Sequence, residues 1–335
     1  MRIFLAVYSL FSRFVCRIKS GLYRSGILHA HRAPLPVVSI GNIRLGGTEK
    51  TPLAMELISF FLNLGLRPAL VSRGYKGKWE REGGVLSDGK TIFGSWPDSG
   101  DEPYMVARAF PQAGVFIGAD RLASCQKARS RGFDIVVLDD GFQHVRLQRD
   151  LDIVLHSVRK PTALREGLGA LQRAHFLLLK KGGPEAKRQR IRAAYPELPV
   201  FDYSVSVRGF SPLGKDKIFS AADWRGKKAV AFCGIARPER FFSLLEECGL
   251  VISARFSFPD HHAYPRRSLE KIVRAAEELR PEAVVTTEKD AVKLTAHRDQ
   301  FGPAPVVVLK IGLELPEPFF KRIRAALPKA AQTQI

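Results

Sequence analysis

Short aliphatic runs alternate with longer amphipathic segments along almost the whole chain. The runs of the first half predict buried strands at Pro36–Ile40, Arg67–Ser72, Ala113–Gly118, Phe133–Asp140, Leu151–His156 and His175–Lys180. Because continuous Val, Ile and Leu runs need cover on both faces, they favour a parallel sheet. Helices are predicted between them, at about Lys50–Leu64 and across Arg121–Ser130. This order predicts an α/β fold: a mostly parallel sheet with helices on both faces.

The second half repeats the pattern after a composition shift, where basic residues cluster at residues 180–192. Strands are predicted at Lys227–Ile235, Leu250–Phe256, Glu282–Asp290 and Ala304–Ile311, with helices near Pro238–Cys248 and Pro318–Leu327. These elements predict a second, smaller α/β lobe that closes a cleft. The expected domains are an N-terminal segment at 1–30, a core at 31–182 and the second lobe at 183–335.

The N-terminal segment carries an apolar stripe at helical spacing, formed by Phe4, Val7, Phe11, Phe14, Val15, Ile18 and Leu22. Its uninterrupted apolar run, Ile3–Phe11, is far too short to span a bilayer. Basic side chains at Arg13, Arg17 and Arg24 can reach anionic headgroups. The pattern predicts an amphipathic helix lying in a membrane interface. The alternative is an amphipathic helix packed on the protein's own core.

The charge of the chain narrows its partners. The 335 residues include 53 Lys and Arg against 33 Asp and Glu, a formal net charge of +20. Such a charge attracts nucleic acid, anionic lipid or phosphorylated substrates. No RNA- or DNA-binding signature accompanies it, so nucleic acid is not expected as a partner. The four cysteines are scattered, which argues against a structural zinc site and a disulfide framework.

The stretch SIGNIRLGGTEKTPL joins a predicted strand to a predicted helix through a glycine-containing turn. This context is typical of a phosphate-binding P-loop, G-x-x-x-x-G-K-[ST], although Arg44 and Glu49 occupy its two glycine positions. Lys50 is expected to reach the β- and γ-phosphates, and Thr51 to hold Mg²⁺. The predicted nucleotide-binding residues are Arg44, Leu45, Gly46, Gly47, Thr48, Glu49, Lys50 and Thr51.

Glu49 places a carboxylate beside the phosphates at a position where glycine would supply backbone freedom. Either its side chain turns outward to solvent, or nucleotide binding is weakened. A glycine turn that binds no ligand is the remaining alternative for the whole stretch.

The run IVVLDDGFQH ends a predicted strand with Asp139 and Asp140. A strand that delivers a carboxylate to the metal beside the P-loop threonine is typical of P-loop proteins. Thr51, Asp139 and Asp140 are therefore the predicted Mg²⁺ ligands, and a turn residue that caps the strand is the alternative for Asp140. The two motifs in this order predict a P-loop NTPase-like core that binds a nucleotide and Mg²⁺.

Six motifs occur in one order along the chain: SIGNIRLGGTEKTPL, SRGYKG, SGDEPYMVAR, LDDGFQH, FPDHHAY and TTEKDAVKL. Together with the basic N-terminus they resemble the tetraacyldisaccharide 4'-kinase family, the lipid A 4'-kinases of Gram-negative bacteria, over nearly the whole chain. The resemblance implies transfer of the ATP γ-phosphate to the 4'-hydroxyl of an acylated disaccharide 1-phosphate in lipid A biosynthesis. It also implies peripheral, monotopic attachment to an anionic membrane surface, the cytoplasmic face of the inner membrane; a monomer is expected.

The resemblance further implies that Asp101 and His261 form the catalytic acid–base pair. A carboxylate–imidazole couple can accept the proton of a sugar hydroxyl as the new O–P bond forms. An N-cap role is the alternative for Asp101, and His262 is adjacent and chemically identical to His261. Candidate substrate contacts, each alternatively a surface charge or a supporting hydrogen-bonding group, are Arg73, Gln143, His144, Arg165 and Glu166.

Two features depart from the family pattern. Glu49 replaces the usual glycine, and the loop before PTALREG, residues 161–167, is short. The TTEKD stretch follows a predicted strand and is distantly similar to the base-reading loops of P-loop proteins. Alternatively, its Lys289 and Asp290 form a structural ion pair.

Three other functions are compatible with parts of this pattern. The first is a soluble P-loop kinase or ATPase that acts on a different small anionic substrate. The second is a nucleic-acid-binding ATPase, suggested only by the charge. The third is a membrane-surface scaffold whose altered loop no longer binds nucleotide.

Overall fold

The computed structural model describes residues 14–23, 25–44, 49–158, 164–215, 217–301 and 304–328, without the side chains of residues 296 and 298. Contacts divide the chain into two compact units. Unit 1 comprises Met1–Ser204 and Leu313–Ile335, and unit 2 comprises Val205–Gly312. Unit 1 is therefore discontinuous in sequence. The domain ranges expected from the sequence, 1–30, 31–182 and 183–335, stay predictions.

The sheet of unit 1 has the strand order β7-β6-β1-β5-β2-β4-β3. Its strands are β1 (Val37–Asn42), β2 (Pro68–Ser72), β3 (Gly84–Asp88), β4 (Gly114–Ile117), β5 (Ile135–Leu138), β6 (Leu151–His156) and β7 (Phe176–Lys180). All pairs are parallel except that of β3 with β4, and the first residues of β8 (Val200–Pro212) extend the sheet beside β7. β1 and β5 are buried throughout, as continuous aliphatic runs require. The predicted α/β fold is confirmed.

The helices of unit 1 cover this sheet. They are residues 14–23, here α1, and α2 (Lys50–Asn63), α3 (Trp79–Glu82), α4 (Trp96–Ser99), α5 (Asp101–Ala109), α6 (Arg121–Ser130) and α7 (Glu185–Ala194), with a 3₁₀ helix at Leu168–Arg173. The predicted α2 and α6 are present. The basic stretch that marked the composition shift is itself the helix α7, whose Ile191 is buried and whose Arg188 pairs with Asp202. Its narrow apolar face gave the sequence pattern little to detect.

The end of the chain returns to unit 1 as α11 (Glu317–Ala326). Phe319 is fully buried, with its ring centroid 5.5 Å from that of Phe201, and Phe320 lies 5.0 Å from Phe60. The backbone N–H of Leu313 donates to Glu56 in α2 at 3.1 Å. This aromatic packing makes the C-terminal helix part of the core of unit 1.

Unit 2 contains a second parallel sheet with the order β10-β9-β11-β12. Its elements are β9 (Lys228–Cys233), α8 (Pro238–Glu247), β10 (Val251–Ser257), α9 (Arg266–Leu279), β11 (Ala283–Thr287) and α10 (Glu288–Leu294), with 3₁₀ helices at Ala221–Trp224 and Thr295–Phe301 and β12 (Val306–Glu314) at its end. Separate hydrophobic clusters cover the two faces of the sheet. The predicted smaller α/β lobe is thus a three-layer unit.

One predicted strand of unit 2 was wrong at its end. The sequence predicted a strand through Asp290, but β11 stops at Thr287 and α10 begins at the next residue. The side chain of Thr287 accepts a hydrogen bond from the N–H of Asp290 and so caps the helix. An N-cap threonine followed by acidic residues is a helix-start signal, and here it outweighs the aliphatic run before it. The amphipathic α9 was not predicted.

Within the described ranges, no helix is both long and apolar enough to cross a membrane. The described part of the N-terminal stripe does lie on a helix, α1, where Phe14, Val15 and Ile18 are exposed. The stripe residues Phe4, Val7 and Phe11, and the basic residues Arg13 and Arg24, lie outside the described residues.

Candidate active site

Two neighbouring strands bring the two nucleotide motifs together. β1 pairs in parallel with β5, from Val37 opposite Val136 to Ser39 opposite Leu138. Their carboxyl ends therefore meet at one edge of the sheet, the usual place for a ligand in an open α/β sheet. Lys50, the first residue of α2, places its Nζ 3.2 Å from Oδ1 of Asp140. The remaining predicted P-loop residues, 45–48, lie outside the described ranges.

The two adjacent carboxylates have different surroundings. Asp140 lies in the left-handed region at φ 50° and contacts both Lys50 and Arg165, whose Nη1 is 2.7 Å from its Oδ2. Burial acts to raise the pKa of Asp140, but these two cations outweigh it and hold the pKa below its usual value. Asp140 therefore lies in a turn, as its alternative role expected, and at the same time contacts the P-loop residue Lys50.

The surroundings of Asp139 oppose its ionisation. Ser72, at the end of β2, donates its hydroxyl to Oδ2 of Asp139 at 3.0 Å, whereas the buried Oδ1 has no hydrogen-bond partner among the described residues. Burial, followed by the charges of Glu102 and Asp140, raises the pKa of Asp139 to about 6. A buried carboxylate oxygen without a donor fits a cation-binding position.

Glu102 was not singled out from the sequence, although it follows Asp101 directly. Its Oε2 accepts the hydroxyl of Thr51 at 2.8 Å, so the P-loop threonine is held by the start of α5. No ready cluster of three His, Cys, Asp or Glu ligands exists in the parts of the chain that the structure describes. The hydroxyl of Thr51 and the carboxylates of Asp139 and Glu102 are oxygen donors of the kind that Mg²⁺ prefers, one or two of which it commonly takes.

Asp101 is the first residue of α5, and Gly100 is the N-cap residue, at φ 86°. The predicted alternative of an N-cap role for Asp101 is therefore wrong by one position. Asp101 is almost fully buried, and its Oδ1 accepts the N–H of Glu102 at 3.0 Å. The SRGYKG loop packs closely beneath: a Cβ on Gly77 would lie 2.6 Å from the carbonyl oxygen of Asp98. The two motifs thus form one packed unit.

Three of the candidate substrate residues are engaged within the protein. Gln143 donates through Nε2 to the carbonyl of Asn42 and to Glu166, each at 2.9 Å. Arg173 holds both oxygens of Glu166, at 3.0 and 2.9 Å, and lies 4.5 Å from the centre of the Phe142 ring. Arg165, as described, pairs with Asp140. This network fixes the end of β1, and Arg173 in it was not found from the sequence.

Basic side chains surround His144. Burial, followed by the charges of Arg121, Lys19, Arg149 and Arg146, lowers the pKa of His144 to about 4, so its ring is neutral at pH 7. Arg121 is nearly buried, donates to the carbonyl of Gly118, and its charge interacts with Asp139 and Asp140. The sequence had placed Arg121 only at a helix start, where the strand-to-helix turn was the available signal.

Arg73, the remaining candidate substrate contact, lies at the margin of this group. Its Nε is 2.6 Å from Oε1 of Glu80, and 60% of its side chain is exposed. It is therefore accessible to a ligand, but through an ion pair that is mostly solvated.

The two residues that replace P-loop glycines have protein partners. Arg44 is buried, and its Nη1 donates to the carbonyl of Ser157. Glu49 adopts the left-handed conformation, φ 56° and ψ 29°, just before α2. Its side chain is not turned outward to solvent: one oxygen contacts Nζ of Lys180 and the other accepts the hydroxyl of Tyr203 at 3.2 Å.

In unit 2 the FPDHHAY motif follows β10, and its two histidines have separate roles. The ring of His262 stacks on Phe258 with centroids 4.6 Å apart, and its Nε2 lies 2.9 Å from the hydroxyl of Ser268. His261, at φ 66°, lies instead beside Asp260 and Lys289: Nζ of Lys289 is 3.4 Å from its Nε2. The geometry distinguishes two residues that are equivalent in sequence.

The TTEKD motif supports this loop, and the alternative given for it, an ion pair between Lys289 and Asp290, does not form. Lys289 pairs with Asp260 at 2.9 Å, so its proposed pairing with Asp290 is wrong. Asp290 is completely buried and accepts the N–H of Gly234 at 2.9 Å and the hydroxyl of Thr287 at 2.7 Å. A buried carboxylate with several donors is a structural anchor.

Comparison with known proteins extends these observations. A family model described as tetraacyldisaccharide-1-P 4'-kinase matches residues 1–328. The tetraacyldisaccharide 4'-kinase of Desulfotalea psychrophila is 35% identical over 296 residues, which are 84% of each chain. That of Geobacter metallireducens is 35% identical over 325 residues, 94% of this chain and 95% of its own. A crystal structure of LpxK from Aquifex aeolicus, described as an "apo" form in complex with ATP, is 27% identical with a TM-score of 0.76 and covers 98% of this chain and 99% of that chain.

Proposed function

This chain belongs to the tetraacyldisaccharide-1-P 4'-kinase family, and on that premise we propose how its residues serve the reaction. The protein is an ATP-dependent kinase of lipid A biosynthesis that phosphorylates the 4'-hydroxyl of a tetraacyldisaccharide 1-phosphate. The observation that carries the proposal is the meeting of Lys50, Asp139 and Asp140 at the carboxyl ends of β1 and β5. Phosphoryl transfer needs positioning and charge neutralisation more than covalent chemistry.

We place the ATP phosphates between the start of α2 and the two aspartates. Lys50 is shared: its ammonium holds Asp140 and is near enough to the P-loop to reach the β- and γ-phosphates. The residues that would hold Mg²⁺ are Thr51 and Asp139, with Asp140 and Glu102 beside them. When bound, the ion would neutralise charge on the transferred group. Asp139 must be ionised to bind it, which its raised pKa permits at neutral pH.

The proton of the attacking hydroxyl requires a base. We assign the acid–base role to His261 and Asp101, as the resemblance implies. His261 differs from His262 in lying beside the charged Asp260 and Lys289, whereas the ring of His262 is stacked on Phe258 with its Nε2 2.9 Å from the hydroxyl of Ser268. Lys289, a donor only, lies 3.4 Å from Nε2 of His261, which favours the tautomer with an unprotonated Nε2.

The anionic lipid substrate is assigned to the basic side of the same edge. The neutral His144, the buried Arg121 and the exposed Arg73 offer donors and positive charge to a sugar phosphate. Arg165 reaches the same site through Asp140. Gln143 and Glu166 hold the end of β1 through Asn42 and act by positioning.

We propose that α1 attaches the enzyme peripherally to the cytoplasmic face of the inner membrane. Its exposed Phe14, Val15 and Ile18 and the net charge of +20 support attachment to an anionic surface. Replacing all three residues with serine should lower binding to phosphatidylglycerol-containing vesicles at least tenfold in a sedimentation assay. Ile218→Ser, at an exposed apolar position of unit 2, is the matched control. Equal binding by both variants would contradict attachment through α1.

The function is tested by incubating the purified protein with radiolabelled ATP, Mg²⁺ and the disaccharide 1-phosphate in detergent. The expected result is label in the lipid, lost in Lys50→Met. Label released only as inorganic phosphate, with or without the lipid, would instead support the soluble ATPase alternative. Absence of ATP binding would support the scaffold alternative.

A further inference from the structure

Glu49 is joined to two residues on neighbouring strands. Lys180 ends β7, and Tyr203 lies opposite it in the parallel register of β7 and β8. Residues paired in this way project to the same face of a sheet. Their ammonium and hydroxyl groups contact different oxygens of one carboxylate. The side chains of Glu49 and Lys180 are only 17% and 15% exposed, and Tyr203 is buried.

This arrangement addresses the problem that Glu49 creates. It lies next to Lys50, so an unneutralised carboxylate here would repel the triphosphate that Lys50 attracts. This repulsion between the Glu49 carboxylate and the triphosphate would be strong, because solvent screens charges only weakly at a site that is so little exposed. The left-handed backbone at Glu49 also carries strain that glycine would not. A residue with both costs persists only where its surroundings compensate.

We propose that Lys180 is a positioning residue for ATP, which neutralises Glu49 and holds its carboxylate away from the phosphates, with Tyr203 fixing the second oxygen. The three residues together replace the glycine of the usual P-loop. This inference rests on the assignment of residues 44–51 as the ATP site. It makes a specific prediction: Lys180 matters to ATP only while residue 49 is acidic.

The test is a double-mutant cycle read by ATP affinity. Lys180→Met should raise the Kd and the KM for ATP at least tenfold while kcat changes less than threefold. Combining it with Glu49→Gly should bring the Kd back to within about threefold of that of the unaltered protein. Glu49→Gly alone should bind ATP as well as, or better than, the unaltered protein. Lys181→Met removes the neighbouring, exposed lysine and should leave the Kd unchanged.

Three outcomes overturn the proposal. If Lys180→Met weakens ATP binding equally with and without Glu49→Gly, Lys180 binds the phosphates itself. If Lys180→Met has no effect on the Kd, Glu49 needs no counterion. If Glu49→Gly alone weakens ATP binding, the Glu49 carboxylate contributes to that binding directly.

Two further variants keep the test decisive. Tyr203→Phe removes one hydrogen bond and should raise the Kd two- to fivefold, with Glu49→Gly abolishing that difference; it serves if Lys180→Met does not fold. Lys50→Met tests separately the assumption that residues 44–51 form the ATP site. Retention of ATP affinity in Lys50→Met would remove the proposed ATP site itself, whereas its loss with no effect at Lys180 would remove only this inference.

Discussion

The strand-end site of unit 1 and the His261 loop of unit 2 are built on opposite principles. At the strand ends, Oδ1 of Asp139 is buried without a hydrogen-bond partner among the described residues, Glu102 and Asp140 oppose ionisation of the carboxyl group, and its pKa is raised to about 6. In the loop, His261 and Asp260 are 17% and 37% exposed, and their contacts come from neighbouring side chains. The carboxylates proposed to hold Mg²⁺ and ATP therefore meet like charges at the strand ends, at a cost to stability. The proposed proton acceptor lies instead on a loop, between charged side chains on one side and an aromatic stack at the next residue.

The difference should separate binding from turnover, and this is the largest expected effect. His261→Ala and Asp101→Ala should each lower kcat by about 10²- to 10⁴-fold, because a general base is lost, while ATP binds almost as before. Lys50→Met should instead lose most ATP affinity. The measurements are steady-state kinetics and a fluorescent-nucleotide titration. Parallel losses of ATP affinity in all three variants would erase the distinction and place His261 and Asp101 in nucleotide binding.

The second effect concerns stability and pH. The folded protein binds the Asp139 proton more tightly than the unfolded chain, with a pKa of about 6 against 3.8. Protonated Asp139 therefore contributes to the free energy of unfolding. This contribution is fully present below about pH 4 and is lost as the pH rises through about 6. Asp139→Asn does not ionise, so in EDTA it should be more stable than the unaltered protein, by on the order of 3 kcal/mol above pH 7 and by little near pH 4.

Thermal denaturation at pH 4.5, 6 and 8 measures this difference. Asp134→Asn, at an aspartate of the same unit whose Oδ2 accepts the N–H of Arg67 near the surface, is the control. A difference in Tm for Asp139→Asn that shrinks as the pH rises would show that Asp139 is stabilised as an anion, contrary to its burial.

The third effect distinguishes the two histidines. His262→Ala should lower stability by about 1 kcal/mol, because it loses the stack on Phe258 and the contact with Ser268. Its kcat should fall less than tenfold. Denaturant unfolding and kinetics on the same preparation, with His261→Ala alongside, make the comparison. A larger fall in kcat for His262→Ala than for His261→Ala would reverse the assignment of the base.

The smallest effect is expected at the margin of the strand-end site. Arg73→Ala breaks a mostly solvated ion pair with Glu80 and should change stability by less than about 0.5 kcal/mol. If Arg73 contacts the lipid phosphate, the KM for the lipid should nevertheless rise about tenfold with the KM for ATP unchanged. Lys78→Ala, which breaks a similar exposed pair with Asp98, is the control. Equal lipid KM values in both variants would leave Arg73 as a surface charge.

The sequence was sufficient to predict those parts of the site that depend on a single strand and the residue that follows it. The aliphatic runs before Asn42 and Asp139 predicted β1 and β5, and parallel strands necessarily bring their ends together. It was insufficient where residues distant in sequence meet. Glu102 and Arg173 gain their roles only from the packing of α5 and of residues 166–173 around those strand ends.

Local competition explains the other differences. Thr287 ends β11 by capping α10, a signal that an aliphatic run masks. The sequence showed that the Glu49 carboxylate would lie beside the phosphates, but it did not show which residues contact that carboxylate. Lys180 and Tyr203 are 131 and 154 positions away, and only the pairing of β7 with β8 places them together.

The late return of α11 has a consequence for biosynthesis. A nascent chain that has emerged only as far as residue 312 holds all of unit 2, whereas unit 1 still lacks Phe319 and the aromatic packing around it. Unit 1, although its synthesis begins first, therefore completes its hydrophobic interior only after residues 317–326 have emerged. Chains cut short before Glu317 should contain a unit 1 that quality-control proteases recognise, while unit 2 survives as a resistant fragment.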